Sequence, residues 1–435
     1  MEYTFSDSFS GLQPSAIREI FKSLTDPTII SFAAGNPAPE SFPVEELARL
    51  TADVFASSST MALQYGISEG YPAFREAIAA RQKEKFGIGR DFDTTIVTSG
   101  GQQGLELCCR VLCNPGDVVL CENPSFIGAL NAFRACGAKT VGVPMDEDGI
   151  LPDALEDLIA KTPNVKLLYV IPTFQNPRGS TTTLERRRAI YEIAKKNGII
   201  ILEDNPYGEL RFAGEEVPPI KSFDEDGIVV YCSSFSKILS AGMRVGFIVG
   251  PETIVQKMVV AKQCEDVHTN MLFQLLCYKY MTECDLDGHV EKIRAIYRHK
   301  CGLMLDCLDR EMPKEITYTR PEGGLFLWCT LPDGIDQGAF VVENKFFVLT
   351  SCAYRETGWS VDGKYSYFTK WLTDSVKTRG RMPADADKNR YATLNELFGC
   401  VKKKAQKKTI RYQGVNYRQH VMVYPANCGL ELFFR

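Results

Sequence analysis

The sequence predicts an α/β protein whose mostly parallel sheet is covered by helices on both faces. Three observations predict it. From about Glu45 to Gly250, strand-like and helix-like segments alternate, which is the rhythm of βαβ units. The strand-like runs are apolar throughout, as strands buried on both faces must be. The conspicuous polar residues follow those runs directly, where ligands gather at the carboxyl ends of parallel strands.

In chain order, residues 72–86 read as a helix, with Phe74, Ile78 and Ala79 at helical spacing. Residues 95–98 form a short strand that runs into Ser99-Gly100-Gly101-Gln102, and 104–112 are helical again. Residues 118–121 are a strand ending in an Asn123-Pro124 turn, and 166–171 an apolar run that stops at Pro172. A charged amphipathic helix covers 184–197, followed by the apolar strand 199–202 and then Glu203-Asp204. The strand 228–231 leads into Ser233-Ser234-Phe235-Ser236-Lys237, and 246–249 is a further short run. Residues 287–308 predict a long basic helix, and 322–328 a glycine turn entering a strand. After about Phe340 basic and aromatic residues become dense and the rhythm is lost, which sets a domain boundary near 337–343.

Composition excludes several classes. Among the 435 residues, 45% are hydrophobic and 24% charged, unlike a disordered, collagen-like or coiled-coil chain. A net charge of −4 gives no electrostatic signature of a nucleic-acid partner. No run of about 18 apolar residues suggests a membrane span, and the start, Met1 to Asp7, lacks a signal-peptide pattern. The 15 cysteines are scattered without repeated C-x-x-C pairs. They read as reduced, mostly buried thiols of a cytoplasmic protein. The histidines are His268, His289, His299 and His420, too few for a His-based metal site or a conventional hydrolase triad, so no metal is expected.

Lys237 is the centre of the chemistry. A lysine in a desolvated cleft near another cation loses basicity and can form a Schiff base. Arg244, seven residues on, supplies such a charge and a phosphate clamp. Alone, the segment is equally compatible with a solvated lysine and a structural arginine. Ser99-Gly100-Gly101-Gln102 leaves a strand and opens a helix, so its backbone amides can approach a phosphate, although it is not a G-x-G-x-x-G dinucleotide fingerprint. Asp204 ends a very apolar strand. A buried carboxylate needs a partner, and a pyridinium nitrogen is one; a cap of a loop or helix is the plainer use. Asn176-Pro177 is either a simple turn or a donor at a strand end. Together these residues supply phosphate donors, a pyridinium carboxylate, donors to a phenolate oxygen (Asn176, Tyr207) and a Schiff-base lysine, which is what pyridoxal 5'-phosphate requires.

The same segments resemble the class I/II, fold type I aminotransferases, in particular the 2-aminoadipate and kynurenine branch with its regulator relatives. The resemblance rests on Pro14-Ser-Ala-Ile-Arg-Glu19, Ala34-Gly-Asn-Pro37, Gln64-Tyr-Gly-Ile-Ser-Glu-Gly70, residues 98–102, Asn123-Pro124-Ser-Phe, Gln175-Asn-Pro177, Glu203-Asp-Asn-Pro-Tyr207 and the Lys237 segment. It implies a three-layer sandwich binding pyridoxal phosphate (45–285), an N-terminal arm with part of a small domain (1–44), and an incomplete α+β small domain (286–340). It implies that Lys237 forms an aldimine and shuttles a proton between Cα and C4′ while Asp204 keeps the pyridine nitrogen protonated. Asn176 and Tyr207 then bond the ring oxygen, Phe126 stacks on the ring, and Gly100, Gly101, Gln102, Ser234, Ser236 and Arg244 surround the phosphate. Tyr65 reaches the phosphate of a partner subunit, which implies a homodimer. Arg18 meets a substrate side chain, and Gly35 and Asn36 line the substrate pocket. The implied reaction is ping-pong transfer of an amino group from an amino acid to a 2-oxo acid.

The sequence departs from the family at several points. Phe126 stands where a tyrosine is usual, Arg178 where a threonine follows Asn-Pro, and Ala241 where a proline precedes Gly242. The segment that should deliver an arginine to the substrate α-carboxylate is not recognisable, and a fixed guanidinium fork is hard to replace. The alternative reading is therefore a cofactor-binding fusion or regulator-like protein impaired in catalysis, with a lyase or decarboxylase behind it. Residues 341–435 weakly resemble the C-terminal part of a caspase-like peptidase domain, an α/β tail unrelated to the rest. Cys352 there lacks an oriented base, so a cysteine peptidase is not expected. Asp385, Asp387, Asn389, Tyr391, Thr393 and Glu396 have calcium-loop spacing, but Arg390 takes the glycine position, so a polar turn before a helix is expected. The lysines at 402–404, 407 and 408 read as a solvated helix face.

Overall fold

The computed structural model describes residues 3–10 and 35–330 and, beyond them, the strand segments 360–361, 365–366, 392–393, 409–412, 415–418 and 431–432. The chain divides into two compact units: Met1–Met312 with Tyr318–Cys329, and Pro313–Thr317 with Thr330–Arg435. The boundary expected near 337–343 lies outside the described residues.

After the short helix Asp7–Ser10 and the 3-10 turn Pro39–Ser41, the first unit continues with α1 (Val44–Ser57), α2 (Ser59–Leu63) and α3 (Pro72–Phe86). Pro72 opens α3, where a missing N–H costs nothing, and Gly87 (φ +66°) closes it in the left-handed region. Next come β1 (Asp93–Thr98), α4 (Gly101–Leu112), β2 (Val118–Asn123), α5 (Ile127–Ala135), β3 (Lys139–Asp146) and β4 (Gly149–Ile150). They are followed by α6 (Pro152–Lys161), β5 (Val165–Val170), α7 (Leu184–Lys196), β6 (Ile200–Asp204), β7 (Val229–Ser234) and β8 (Gly246–Pro251). Three helices end the series: α8 (Glu252–Gln263), α9 (Met271–Glu283) and α10 (Leu286–Glu311). Thr183 caps α7 by accepting the Arg186 N–H at 3.4 Å, and Asp285 caps α10 by accepting the Gly288 N–H at 2.8 Å.

The eight strands form one sheet in the order β1-β8-β7-β6-β5-β2-β3-β4. Strands β3, β2, β5, β6 and β7 run parallel, while β8 is antiparallel to both β7 and β1. Consecutive residues feed opposite cores. Leu167, Tyr169, Leu202 and Val230 pack with Leu105, Cys109 and Phe133 from α4 and α5. Leu168, Val170, Ile201 and Val229 pack with Leu155, Ile190 and Tyr191 from α6 and α7. Two buried faces are why these strands are apolar without alternation, and they make the predicted three-layer α/β sandwich.

The connection after β5 is held by a buried cation. Arg187 donates to the carbonyls of Thr182 (2.9 Å) and Pro172 (2.7 Å) and to the Thr173 hydroxyl (2.9 Å). The expected strand over 322–328 is a correction. It forms only a bridge from Gly323 to Arg211, and regular strand begins at Cys329. Gly324 turns the chain at φ +73°, and a Cβ on Gly323 would stand 2.6 Å from the Leu210 carbonyl oxygen, so the glycines pack edge-on instead of extending. Among the described residues no helix is long and apolar enough to cross a membrane.

In the second unit the described segments pair antiparallel: Ser360–Val361 with Tyr365–Ser366, Ala392–Thr393 with Glu431–Leu432, and Thr409–Tyr412 with Val415–Arg418. Cys352, the lysine run and the spacing at 385–396, apart from the strand residue Thr393, lie outside the described residues.

Candidate active site

Five strands of one direction, β1, β2, β5, β6 and β7, release their chains at one edge of the sheet, and each release carries a residue singled out in the sequence. Beyond β1, Gly100 (φ +80°) takes the N-cap of α4, so the first amides of that helix face the edge. The Arg244 guanidinium lies against Gly100, since a Cβ there would stand 2.3 Å from its Nη2. Beyond β2, Phe126 caps α5 and its ring lies over Gly128, whose carbonyl accepts the Gln102 Nε2 at 2.8 Å.

Beyond β5, Asn176 donates its Nδ2 to the Tyr207 hydroxyl at 3.4 Å. Gln175 fixes that loop, donating its Nε2 to Glu122 (2.9 Å) and to the Pro124 carbonyl (2.8 Å). Burial pushes the Glu122 carboxyl up to about 7 against the bonds from Gln175 and Ile171. Asp204 ends β6. Burial pushes its pKa up to about 7, opposed only by the Tyr169 hydroxyl, which donates to Oδ2 at 2.8 Å. No ion pair reaches it among the described residues.

Beyond β7, Ser234 donates to the Ser236 hydroxyl at 2.7 Å and accepts the Ser236 N–H at 3.0 Å. This tight turn presents Lys237. Its Nζ donates to the Gly35 carbonyl at 3.1 Å and lies 6.0 Å from the centre of the Tyr207 ring. Burial, then the Arg244 charge, lowers its pKa to about 8.

These residues line one cleft of about 710 Å³: Asn36, Gly101, Gln102, Phe126, Asn176, Asp204, Tyr207, Ser234, Ser236, Lys237 and Arg244. Gly100 sits in the turn behind Arg244, and Gly35 lines an adjoining cavity of about 340 Å³. Tyr65 is 81% exposed and packs edge-on to His268, so it does not line its own chain's cleft. Arg18 lies outside the described residues. Sequence reasoning missed Ser125, Ile171, Phe326, Leu327 and Trp328 in the lining. It also missed Tyr169 and Glu122 behind it; a tyrosine inside a wholly apolar strand was the available signal, because its hydroxyl needs a partner.

The donor set suits a phosphorylated aromatic cofactor. A helix N-terminus, two hydroxyls and a guanidinium converge on the cleft, and the buried Asp204 carboxylate, with a hydroxyl but no cation beside it among the described residues, lines the same cleft. No His, Cys, Asp or Glu cluster able to hold a metal occurs among the described residues.

The family model for aminotransferase class I and II matches residues 27–352. The aromatic-amino-acid aminotransferase 1 of Thermococcus litoralis is 42% identical over 339 residues, 77% of this chain and 81% of that protein. The 2-aminoadipate transaminase of Thermus thermophilus is 38% identical over 387 residues, 87% of this chain and 96% of that protein. Among solved structures, the kynurenine aminotransferase of Pyrococcus horikoshii aligns with a TM-score of 0.75 at 36% identity, covering 79% of this chain and 87% of that one. None of these findings supports a caspase-like tail.

Proposed function

Because the chain belongs to the class I and II aminotransferases, pyridoxal-phosphate enzymes that move an amino group from an amino acid to a 2-oxo acid, we propose that Lys237 holds the cofactor aldehyde and Asp204 its ring nitrogen. The observation that carries this is that a cation weakened by burial and an unpaired buried carboxylate line the same cleft. When bound, the cofactor supplies an electron sink for charge developing at the substrate Cα. Lys237, lowered to about 8, is a neutral amine in a useful fraction near neutral pH and moves the proton between Cα and C4′. Asp204 keeps the ring nitrogen protonated, and Tyr169 holds that carboxylate in place.

Asn176 and Tyr207 bond the ring oxygen, and Phe126 stacks on the ring, excluding water without offering a hydroxyl. The amides of Gly100 and Gly101, with Gln102, Ser234, Ser236 and Arg244, hold the phosphate. Gly35 and Asn36 face the substrate, and Arg18 keeps the substrate side-chain role that the family resemblance implies for it. Among the described residues lining the cleft, the cations are Lys237 and Arg244, so a clamp for the substrate α-carboxylate comes from elsewhere. The donors to test first are aromatic amino acids, 2-aminoadipate and kynurenine, for which the relatives are named.

The same reading makes the protein a homodimer acting in the cytoplasm. Val44, Phe55, Met61, Leu63, Tyr65 and Ile67, all from residues 44–67, are exposed apolar side chains. Such a group favours cover by a second copy, which would carry Tyr65 to the partner's phosphate end. Purified protein should be yellow, and borohydride should fix a pyridoxyl group to Lys237. Adding an amino donor should bleach the visible band, and a 2-oxo acid should restore it. A colourless protein that takes up no cofactor, or a label on another lysine, would overturn the assignment.

A further inference from the structure

Away from the cleft, α4 and α5 end beside each other, and each end carries cysteine. Cys109 lies in the last turn of α4, Cys113 directly follows that helix, and Cys136 directly follows α5. The two exits are tied together. Gly116 donates its N–H to the Gly137 carbonyl at 2.9 Å, and Pro115 packs so closely that a Cβ on Gly137 would stand 3.2 Å from its own Cβ. Cys109 and Cys113 lie in one buried apolar cluster, and Cys136 packs against it. Cys136 Sγ also lies 3.8 Å from the Glu106 carbonyl oxygen, one turn back along α4.

The three thiols are not equivalent. Cys109 is wholly buried and Cys113 nearly so, whereas Cys136 is half-buried. Arg110 stands beside Cys136, held by Glu106 at 2.8 Å and Glu265 at 3.1 Å. The Cys109 thiol and the Arg110 charge favour a thiolate at Cys136 over the opposing effects of burial and Glu106.

We propose that these helix ends form a peroxide-driven disulfide site, in which Cys136 is oxidised first and Cys109 resolves it. The Cys136 thiolate attacks hydrogen peroxide, the O–O bond breaks, and a sulfenic acid forms while the departing hydroxide leaves as water after taking a proton. The Cys109 sulfur then displaces the hydroxyl. The Cys109–Cys136 S–S bond forms, the Cys109 proton leaves with that hydroxyl as a second water, and each chain loses two hydrogen atoms in all. The same two helices also meet at their other ends, where Gln102 donates to the Gly128 carbonyl at 2.8 Å.

The full chain, purified reduced, would be treated with hydrogen peroxide and mapped by mass spectrometry without reductant. The expected product is a linked peptide joining residues 109 and 136, reversed by dithiothreitol. In Cys109→Ser, where the serine hydroxyl keeps a donor in place of the thiol and Arg110 is unchanged, Cys136 should label with a sulfenic-acid probe about tenfold faster than the exposed Cys264 and Cys307, and should pass to sulfinic acid with further peroxide. Cys136→Ser should form no link. A Cys109–Cys113 link in place of the cross-helix one, or a Cys136 still reduced when Cys264 and Cys307 are oxidised, would overturn the proposal. The map of the unsubstituted chain decides this even if a variant fails to fold.

Discussion

The Tyr169 hydroxyl donates to Asp204 Oδ2 at 2.8 Å, and both side chains are buried. This joins two adjacent parallel strands, β5 and β6, immediately below the cleft. The bond favours the ionised carboxylate, opposing burial. It therefore adjusts the group proposed to hold the cofactor ring while staying out of the cleft lining.

Tyr169→Phe should weaken cofactor binding without removing it. A buried hydrogen bond to a charged group contributes about 1.5–3 kcal/mol, roughly ten- to a hundred-fold in dissociation constant by the affinity relation. The Asp204 pKa should also rise above its present value of about 7. Dissociation constants measured by absorbance across pH would show both effects. An unchanged constant would mean that the bond is structural only.

Two buried acids shape the pH dependence of the cofactor-free protein. Glu122 and Asp204 are each raised to about 7 from 4.5 and 3.8 by burial. A raised folded-state pKa gives stability that is fully present below the unfolded value and is lost as pH rises through about 7. Asp204→Asn should flatten that loss and stabilise the cofactor-free form above pH 7, by on the order of 2–4 kcal/mol. Glu122→Gln should act in the same direction. Melting temperatures of each variant from pH 4 to 8 provide the check; equal slopes in variant and parent would refute it.

Lys237 runs the other way. Its pKa falls from 10.5 to about 8, with burial the larger cause and Arg244 the second. Its charged form is thus penalised in the folded state, and the cofactor-free protein should gain stability as pH rises from about 8 toward 10.5. Condensation with pyridoxal phosphate should accelerate as pH approaches 8 and level off above it. Arg244→Gln should move that midpoint upward. Stopped-flow absorbance would read the midpoint, and a parent and variant with one common midpoint would rule out the electrostatic coupling.

How much was legible in the sequence follows from where the signals reside. The parallel strands were readable because both faces are buried, as at Leu167 to Val170, and the site residues because they directly follow those strands. Strand β3 was missed because Lys139, Thr140, Gly142 and Pro144 break its apolar run near the sheet edge, where only the two-residue β4 flanks it. Helix α9 was missed because its apolar residues lack a dominant face: Leu275, Leu276, Cys277 and Tyr280 are all buried. Phe326, Leu327 and Trp328 were read as an ordinary strand because the turn at Gly324 depends on packing against Phe174, a contact between distant parts of the chain. Tyr65 stood out as part of a motif, but its 81% exposure gives it meaning only with a second subunit.

Two glycines at the phosphate end should separate stability from binding. On Gly246 a Cβ would stand 2.6 Å from the Gly100 carbonyl carbon and 2.7 Å from the Gly101 nitrogen. Backbone cannot swing aside, so β8 or the start of α4 must shift. On Gly100 the obstacle is the far end of Arg244, which can move, and the remaining cost is the φ of +80°. Gly246→Ala should therefore be the more destabilising, by about 1–3 kcal/mol on the scale of overpacked cores. Gly100→Ala should cost about 1 kcal/mol of stability but weaken phosphate binding by displacing the guanidinium. Urea unfolding of both cofactor-free variants, set beside their pyridoxal phosphate dissociation constants, distinguishes the two effects. If Gly100→Ala binds as tightly as the parent, Arg244 does not hold the phosphate from its present position.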